Sequence, residues 1–102
     1  LHPLLAKRAD GLHPAVLRMI WKTVQAAKTE GKWVGVCGGV AGDPLGAVLL
    51  TGLGVSELSM SIPSVAAVKA KLRTISYAQA QTLAHQALRC RNAVEVRNLV
   101  RQ

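Results

Sequence analysis

The fold is decided by residues 32–44, which read KWVGVCGGVAGDP. The first part, KWVGV, is rich in β-forming residues and predicts a short buried strand that runs into Cys37. Glycines follow the cysteine, and Asp43 and Pro44 then mark a helix start, because aspartate caps helix N-termini and proline suits the first turn. The stretch therefore predicts a strand, a glycine loop and a helix, with one thiol at the end of the strand. In a parallel α/β sheet, ligands bind at this edge.

Cys37 allows two interpretations. A lone cysteine on a strand is usually a small core residue. The neighbouring Gly38, Gly39 and Gly42 favour a functional role, because glycine lets the backbone approach a ligand closely. Their spacing matches neither G-x-G-x-x-G nor G-x-x-x-x-G-K-[ST], so neither nucleotide-binding loop motif is present. Cys90 is too far along the chain to form a C-x-x-C redox pair or a zinc cluster with Cys37.

The composition indicates one small domain. The chain has 102 residues, of which 50% are hydrophobic, and it contains no Phe, so its modest core rests on Val, Leu, Ile and Ala. No hydrophobic run reaches transmembrane length, and the start LHPLLAKRAD lacks the apolar segment of a signal peptide. We therefore expect a protein of the reducing cytoplasm, with no membrane partner.

The charge invites a nucleic-acid-binding interpretation, because 13 basic and 5 acidic residues give a formal net charge of +8. The distribution of the charge argues against it. Residues 33–68 contain neither Lys nor Arg, and aromatic residues make up only 3% of the chain, too few to interleave with the flanking basic residues and stack bases. Solvated helical faces explain the charge better, so nucleic-acid binding is kept only as an alternative.

Around the central stretch, the sequence predicts mainly helices. The first opens at His13-Pro14 and ends near Gly31, and its apolar stripe is Val16, Leu17, Ile20, Val24 and Ala27. An apolar helix follows over 44–53, and a second strand is predicted over 55–61. Later helices carry the stripes Val65, Val68 and Leu72, then Ala80, Leu83, Ala87 and Leu88, then Val96, Leu99 and Val100. Ser76 with Gln79, and Asn92 with Glu95, have the spacing of capping boxes.

The order strand, helix, strand implies a parallel pair joined by a crossover. Two parallel strands do not make a good sheet alone, since parallel strands need neighbours on both sides and helices on both faces. The sequence therefore predicts an α/β piece of a larger domain, helix-rich and with two short parallel strands.

Three motifs in order carry a family resemblance: GKWVGVCGGVAGDP, LLTGLGVSELSMS and IPSVAAVKAKLR. Together they resemble the C-terminal end of Enzyme I of the bacterial phosphoenolpyruvate:sugar phosphotransferase system, and equally the Enzyme I-like module of multiphosphoryl transfer proteins. The upstream LHPAVLRMI and the downstream SYAQAQTLAHQAL also fit. The resemblance thus covers nearly all of residues 1–102, which we interpret as a single fragment of the PEP-utilising barrel domain.

The resemblance implies a fold and a site. The family domain is a TIM (β/α)₈ barrel that binds phosphoenolpyruvate (PEP) and Mg²⁺, and this chain would supply its last two β/α units. Cys37 would be the catalytic proton donor to C3 of pyruvate enolate at the mouth of the barrel. The loop backbone of Gly38 and Gly39 would contact substrate. The resemblance places no metal ligand in this chain.

This sequence departs from the family pattern at one position and lacks several family residues. Gly39 stands where the commoner motif C-G-E has glutamate, so any contact made by that glutamate is absent. Multiphosphoryl-type members often carry C-G-G. The family's phosphorylated histidine, Mg²⁺ carboxylates and substrate-binding arginines lie on earlier segments, and His2, His13 and His85 match no family motif.

The resemblance therefore implies a fragment of a PEP-protein phosphotransferase. The full-length enzyme would pass a phosphoryl group from PEP to its own histidine and then to a histidine phosphocarrier (HPr), for sugar uptake. The isolated fragment is expected to be inactive, and a homodimer is expected. Two alternatives stay open: a non-catalytic dimerisation module of the same family, and a basic nucleic-acid-binding domain.

Overall fold

The computed structural model describes residues 11–101. In this range the chain forms a helix, a strand, two helices, a second strand and then three helices. In chain order the elements are α1 (Pro14–Thr29), β1 (Gly35–Cys37), α2 (Gly39–Gly42), α3 (Pro44–Leu53), β2 (Glu57–Ser59), α4 (Ile62–Leu72), α5 (Tyr77–Ala87) and α6 (Ala93–Arg101). The prediction of a helix-rich α/β fold with two short strands is confirmed.

Capping residues set the starts of several helices, largely as predicted. At α1, Nδ1 of His13 accepts a hydrogen bond from the backbone N–H of Ala15 at 3.1 Å. At α5, the Gln79 N–H donates to Ser76 Oγ at 3.1 Å, and the Ser76 N–H donates to Gln79 Oε1 at 2.8 Å. These paired bonds are the predicted capping box. Because such bonds satisfy otherwise unpaired N–H groups, the sequence defines these helix starts locally.

Of the two hydrogen bonds of the capping box predicted at α6, only one forms. The Glu95 N–H donates to Asn92 Oδ1 at 2.9 Å, as predicted. The Glu95 carboxylate, however, accepts from the backbone N–H of Arg91 at 2.7 Å and from Arg91 Nη2 at 3.2 Å. These hydrogen bonds, first of all the one from the backbone, hold the pKa of the Glu95 carboxyl below its usual range. Arg91 therefore holds the carboxylate away from the predicted position, through its backbone N–H and its guanidinium together.

The two strands pair in parallel, with Gly35 opposite Glu57, Val36 opposite Leu58 and Cys37 opposite Ser59. The predicted parallel pair is confirmed, but each strand spans three residues and is shorter than predicted. The prediction of a buried strand is wrong for this chain: Cys37 is exposed and Trp33 is 68% exposed. Within residues 11–101 each strand has only the other as a neighbour, so one face and the outer edges stay uncovered.

The core lies among the helices and is centred on α3. Its residues 47–50 are completely buried. Leu17 of α1, Ala80 and Ala84 of α5, and Val96 and Val100 of α6 join α3 in one hydrophobic cluster. Gly52 allows α3 and α5 to approach closely, since a Cβ there would overlap the carbonyl oxygen of Ala80. Among the helices of residues 11–101, none has the length and apolar character needed to span a bilayer.

We expect the 102-residue chain to associate in solution through the uncovered sheet. Trp33 precedes β1 and is 68% exposed, and Ile62, which follows β2, is 87% exposed. Open strand edges and exposed apolar side chains are usually covered by another chain. Sedimentation equilibrium over a range of micromolar concentrations should show dimers or larger species that dissociate on dilution. A single monomeric species with a sharp thermal transition would contradict this expectation.

Candidate active site at the strand ends

Cys37 is the last residue of β1 and lies opposite Ser59, the last residue of β2. Side chains alternate between the two faces of a strand. Val36 and Leu58 therefore share one face, where both are half-buried, while Cys37, Glu57 and Ser59 are exposed on the other. The thiol thus stands on the uncovered face of the sheet, at the carboxyl end of a parallel strand. Active sites of parallel α/β proteins form at this end.

The glycines after Cys37 form a tight helical turn, α2, where the sequence predicted a loop. Gly38 has φ of 98°, a left-handed conformation that glycine adopts without strain. The Gly42 N–H then donates to the carbonyl of Gly38 at 3.3 Å and closes the turn. Gly42 lies against α4, because a Cβ at this position would come within 3.2 Å of Ser64 Oγ. The glycines therefore let the turn fold tightly between the strand ends and the start of α4.

A cleft of about 590 Å³ opens at this edge. Gly38 and Gly39, predicted to contact substrate, line the cleft, whereas Cys37 lies next to them in the chain and is not itself a lining residue. The remaining lining residues come from the end of the glycine turn, the end of β2 and the start of α4: Gly42, Asp43, Ser59, Met60, Ser61 and Ser64. The structure therefore brings the two predicted backbone positions together beside the predicted catalytic thiol.

Sequence reasoning did not identify the serines of this cleft. Ser61 immediately precedes α4, and its Oγ lies 3.0 Å from Ser64 Oγ, so each hydroxyl has a polar neighbour. Ser59 is brought to the site by its register with Cys37. The signal available in the sequence was the segment SMS at the end of the second predicted strand. Its serines stand at the same sheet edge as Cys37, because the carboxyl ends of parallel strands share one edge.

Asp43 joins the glycine turn to α3 and performs its predicted capping role. Its Oδ1 accepts a hydrogen bond from the Leu45 N–H at 3.0 Å. Its other oxygen, Oδ2, lies 3.0 Å from Nη1 of Arg97, which comes from α6. No sequence signal predicted this contact between residues 54 positions apart. The candidate site therefore has a direct connection to the last helix of the described chain.

Cys90 and the two histidines of the described residues, His13 and His85, lie outside the cleft lining. His13 caps α1, and His85 on α5 faces the ring of Trp21 edge-on with centroids 6.4 Å apart. His2 lies outside the described residues. Cys90 donates from Sγ to the Gln86 carbonyl at 3.6 Å. Burial, assisted by the nearby Glu95 carboxylate, raises the pKa of the Cys90 thiol. This thiol therefore ionises less readily than an ordinary one.

The described residues do not form a site suited to Mg²⁺. Hard divalent cations need several oxygen ligands, usually including carboxylates. In residues 11–101, no group of three His, Cys, Asp or Glu side chains converges to hold a metal ion. The acidic side chain of the cleft, Asp43, is already engaged by Leu45 and Arg97. A Mg²⁺ ion at this cleft would therefore need ligands from outside residues 11–101.

The chain matches a known protein family over most of its length. The family described as "PEP-utilising enzyme, PEP-binding domain" matches residues 2–77, and the chain belongs to this family. The match covers the two strands, the glycine turn and the cleft.

The chain is also similar to several curated proteins. It is 61% identical over 99 residues to a multiphosphoryl transfer protein of Rhodobacter capsulatus, covering 97% of this chain and 12% of the relative. It is 56% identical over 101 residues to a multiphosphoryl transfer protein of Xanthomonas campestris pv. campestris, covering 99% of this chain and 12% of the relative. A phosphoenolpyruvate-protein phosphotransferase of Mycoplasma pneumoniae is 43% identical over 89 residues, covering 87% of this chain and 16% of the relative. The chain thus spans a small part of the length of each relative.

Proposed function

We propose that this chain is the C-terminal part of a longer PEP-protein phosphotransferase of the Enzyme I type, called the parent protein below. In the parent, residues 1–102 would form the last two β/α units of a (β/α)₈ barrel. Two observations support this assignment. The strands are parallel and leave one sheet face uncovered in residues 11–101. The chain also spans only 12% of the Rhodobacter and Xanthomonas relatives.

The proposed role of Cys37 is general acid and base at C3 of pyruvate enolate. Transfer of the phosphoryl group from PEP to an enzyme histidine breaks the P–O bond and leaves the enolate. The Cys37 S–H then gives its proton to C3, which yields pyruvate and a thiolate, and solvent restores the thiol proton. An ordinary thiol has a pKa of about 8.5, near enough to neutrality to donate and retake a proton.

The other parts of the machinery are proposed for the parent outside this chain. Its phosphorylated histidine would pass the phosphoryl group to an HPr-like phosphocarrier in the cytoplasm, and the parent would be a homodimer. Mg²⁺, held by residues outside this chain, would stabilise negative charge on the phosphoryl and enolate oxygens. Within the chain, the backbone of Gly38 and Gly39 would position the substrate beside Cys37.

The observation that carries the proposal is the position of Cys37 in a chain of the PEP-binding family. The thiol stands at the carboxyl end of a parallel strand, next to two glycines that line a cleft. Cys37 lies on the face opposite to Val36, which the helices leave uncovered. In the proposed barrel this face would lie toward the interior, so the thiol would stand on the side of the cleft and not against the helices.

The proposal predicts that the parent protein turns over PEP and that the 102-residue chain alone does not. With PEP, Mg²⁺ and a phosphocarrier, the parent should form pyruvate and phosphorylate the carrier. The isolated chain should show neither reaction, and calorimetry should give a dissociation constant for PEP of about 1 mM or weaker, a binding free energy of roughly −4 kcal/mol. Micromolar binding by the isolated chain would show that its site is complete, and a parent without PEP turnover would refute the proposed function.

A further inference from the structure

An ion pair connects α6 to the segment that follows the glycine turn. Nη1 of Arg97 lies 3.0 Å from Oδ2 of Asp43, and their side chains are 31% and 25% exposed. The two residues are separated by α3, β2, α4 and α5 in the chain. The contact is therefore a tertiary one, and it brings a residue of the last described helix to the edge of the cleft.

The two carboxylate oxygens of Asp43 make different contacts. Oδ1 caps α3 through the N–H of Leu45 at 3.0 Å, and Oδ2 receives Arg97. Asp43 also lines the cleft directly after Gly42, the last residue of the turn that begins beside Cys37. The orientation of its carboxylate is thus fixed from two sides, by the start of α3 and by α6.

The charge of this carboxylate matters for the ligand that the proposed function assigns to the cleft. PEP carries a carboxylate and a phosphate, so an uncompensated Asp43 would repel it. A charge effect of this kind is stronger in a partly enclosed cleft than in bulk water. The Arg97 guanidinium compensates the carboxylate at hydrogen-bonding distance.

We propose that Arg97 is a positioning residue for the Cys37 site. Acting through Asp43, it holds the end of the glycine turn and neutralises the acidic side chain of the cleft. This inference rests on the proposed function for its substrate, but the contact itself is independent of that function. Arg97 lies beyond residues 2–77, to which the family description applies, so this contribution would come from outside the matched segment.

The test is a double-mutant cycle in the parent protein with Arg97→Gln, Asp43→Asn and both together. Asparagine caps a helix as well as aspartate does, so Asp43→Asn removes the ion pair and keeps the capping group. Arg97→Gln should lower kcat/KM for PEP about 10-fold, a size in line with coupling between contacting charged groups. Since Arg97 acts through Asp43, the double variant should be no worse than Asp43→Asn alone.

The cycle is needed because Arg97 takes part in another interaction besides this pair. Arg97→Lys keeps the positive charge and should restore kcat/KM to within about 3-fold of the original, as expected for a point charge in place of a guanidinium. Arg101→Gln, an exposed arginine on the same helix, is the matched control and should leave kcat/KM unchanged. Unaltered kcat/KM in Arg97→Gln, or single-variant effects that multiply in the double variant, would overturn the proposal.

A second measurement separates this inference from the proposed function. Amide hydrogen exchange in peptides covering residues 38–45 reports the Gly42 and Leu45 N–H bonds without any substrate. Arg97→Gln should accelerate this exchange at least about 3-fold, since the segment loses its ion pair between Asp43 and Arg97. Arg101→Gln should not change it. If the parent shows no PEP turnover, the proposed function fails, while unchanged exchange in Arg97→Gln rejects the positioning role regardless of turnover.

Discussion

Replacing Cys37 by serine in the parent protein is expected to lower PEP-dependent pyruvate formation by about 10²- to 10⁴-fold, the usual contribution of a general acid–base group. A serine hydroxyl is a far weaker acid than a thiol, so it protonates C3 of the enolate poorly. The thiol is exposed at the end of β1, so the small change from sulfur to oxygen leaves no cavity in the core. Fold and phosphocarrier binding should therefore be retained.

The loss should be measured as steady-state turnover together with incorporation of solvent deuterium at C3 of pyruvate. Both should fall in Cys37→Ser, because the same thiol delivers the proton in each. Cys90→Ser is the matched control and should stay within about 3-fold of the original activity, as most changes away from a site do. Full turnover by Cys37→Ser would remove this thiol from the mechanism, and a large loss in folded Cys90→Ser would mean that the wrong cysteine had been assigned.

Gly52→Ala should strongly destabilise the fold, because the new methyl group has no space. A Cβ at Gly52 would overlap the carbonyl oxygen of Ala80 and lie 2.8 Å from the Cβ of Ala84. The overlap is removed only if α3 and α5 move apart, and these helices form the centre of the buried cluster. Overpacking of this kind costs about 3 kcal/mol. For a domain of this size the Tm should fall by more than about 10 °C.

Gly39→Ala is the matched control for this stability measurement. A Cβ at Gly39 would meet nothing within 4 Å, and its φ is not positive. Alanine also favours helix over glycine, so the free energy of unfolding should stay within about 1 kcal/mol of the original. Thermal denaturation of both variants at one protein concentration, followed by circular dichroism, compares them directly. Equal Tm values for Gly52→Ala and the original chain would show that the α3–α5 contact is not close-packed.

Local sequence signals predicted most of the fold. Helix starts with an aspartate, serine or histidine cap were predicted correctly, because the capping bonds join residues two or three positions apart. The parallel pair followed from the strand, helix, strand order. The length of both strands and the burial of β1 were predicted wrongly, because they depend on neighbours that residues 11–101 do not supply.

The sequence predicted the candidate site only for residues that follow one another in the central stretch 32–44. Cys37, Gly38 and Gly39 follow one another in the chain, so their placement at one edge followed from the strand that precedes them. The serines of the cleft needed the register between β1 and β2. Arg97 needed the full tertiary fold, because no spacing rule relates it to Asp43 across 54 positions.

The location of the buried core has a consequence for folding kinetics. The fully buried apolar residues belong to the helices and to Leu12 before α1, and none belongs to β1 or β2. Helical segments close in sequence collapse quickly, whereas strand pairing within a closed barrel must wait for distant partners. The α3–α5 pair with α6 can thus form a cooperative unit early. In a refolding parent protein, this unit would present β1 and β2 as a preformed template on which the other strands of the proposed barrel are added in register.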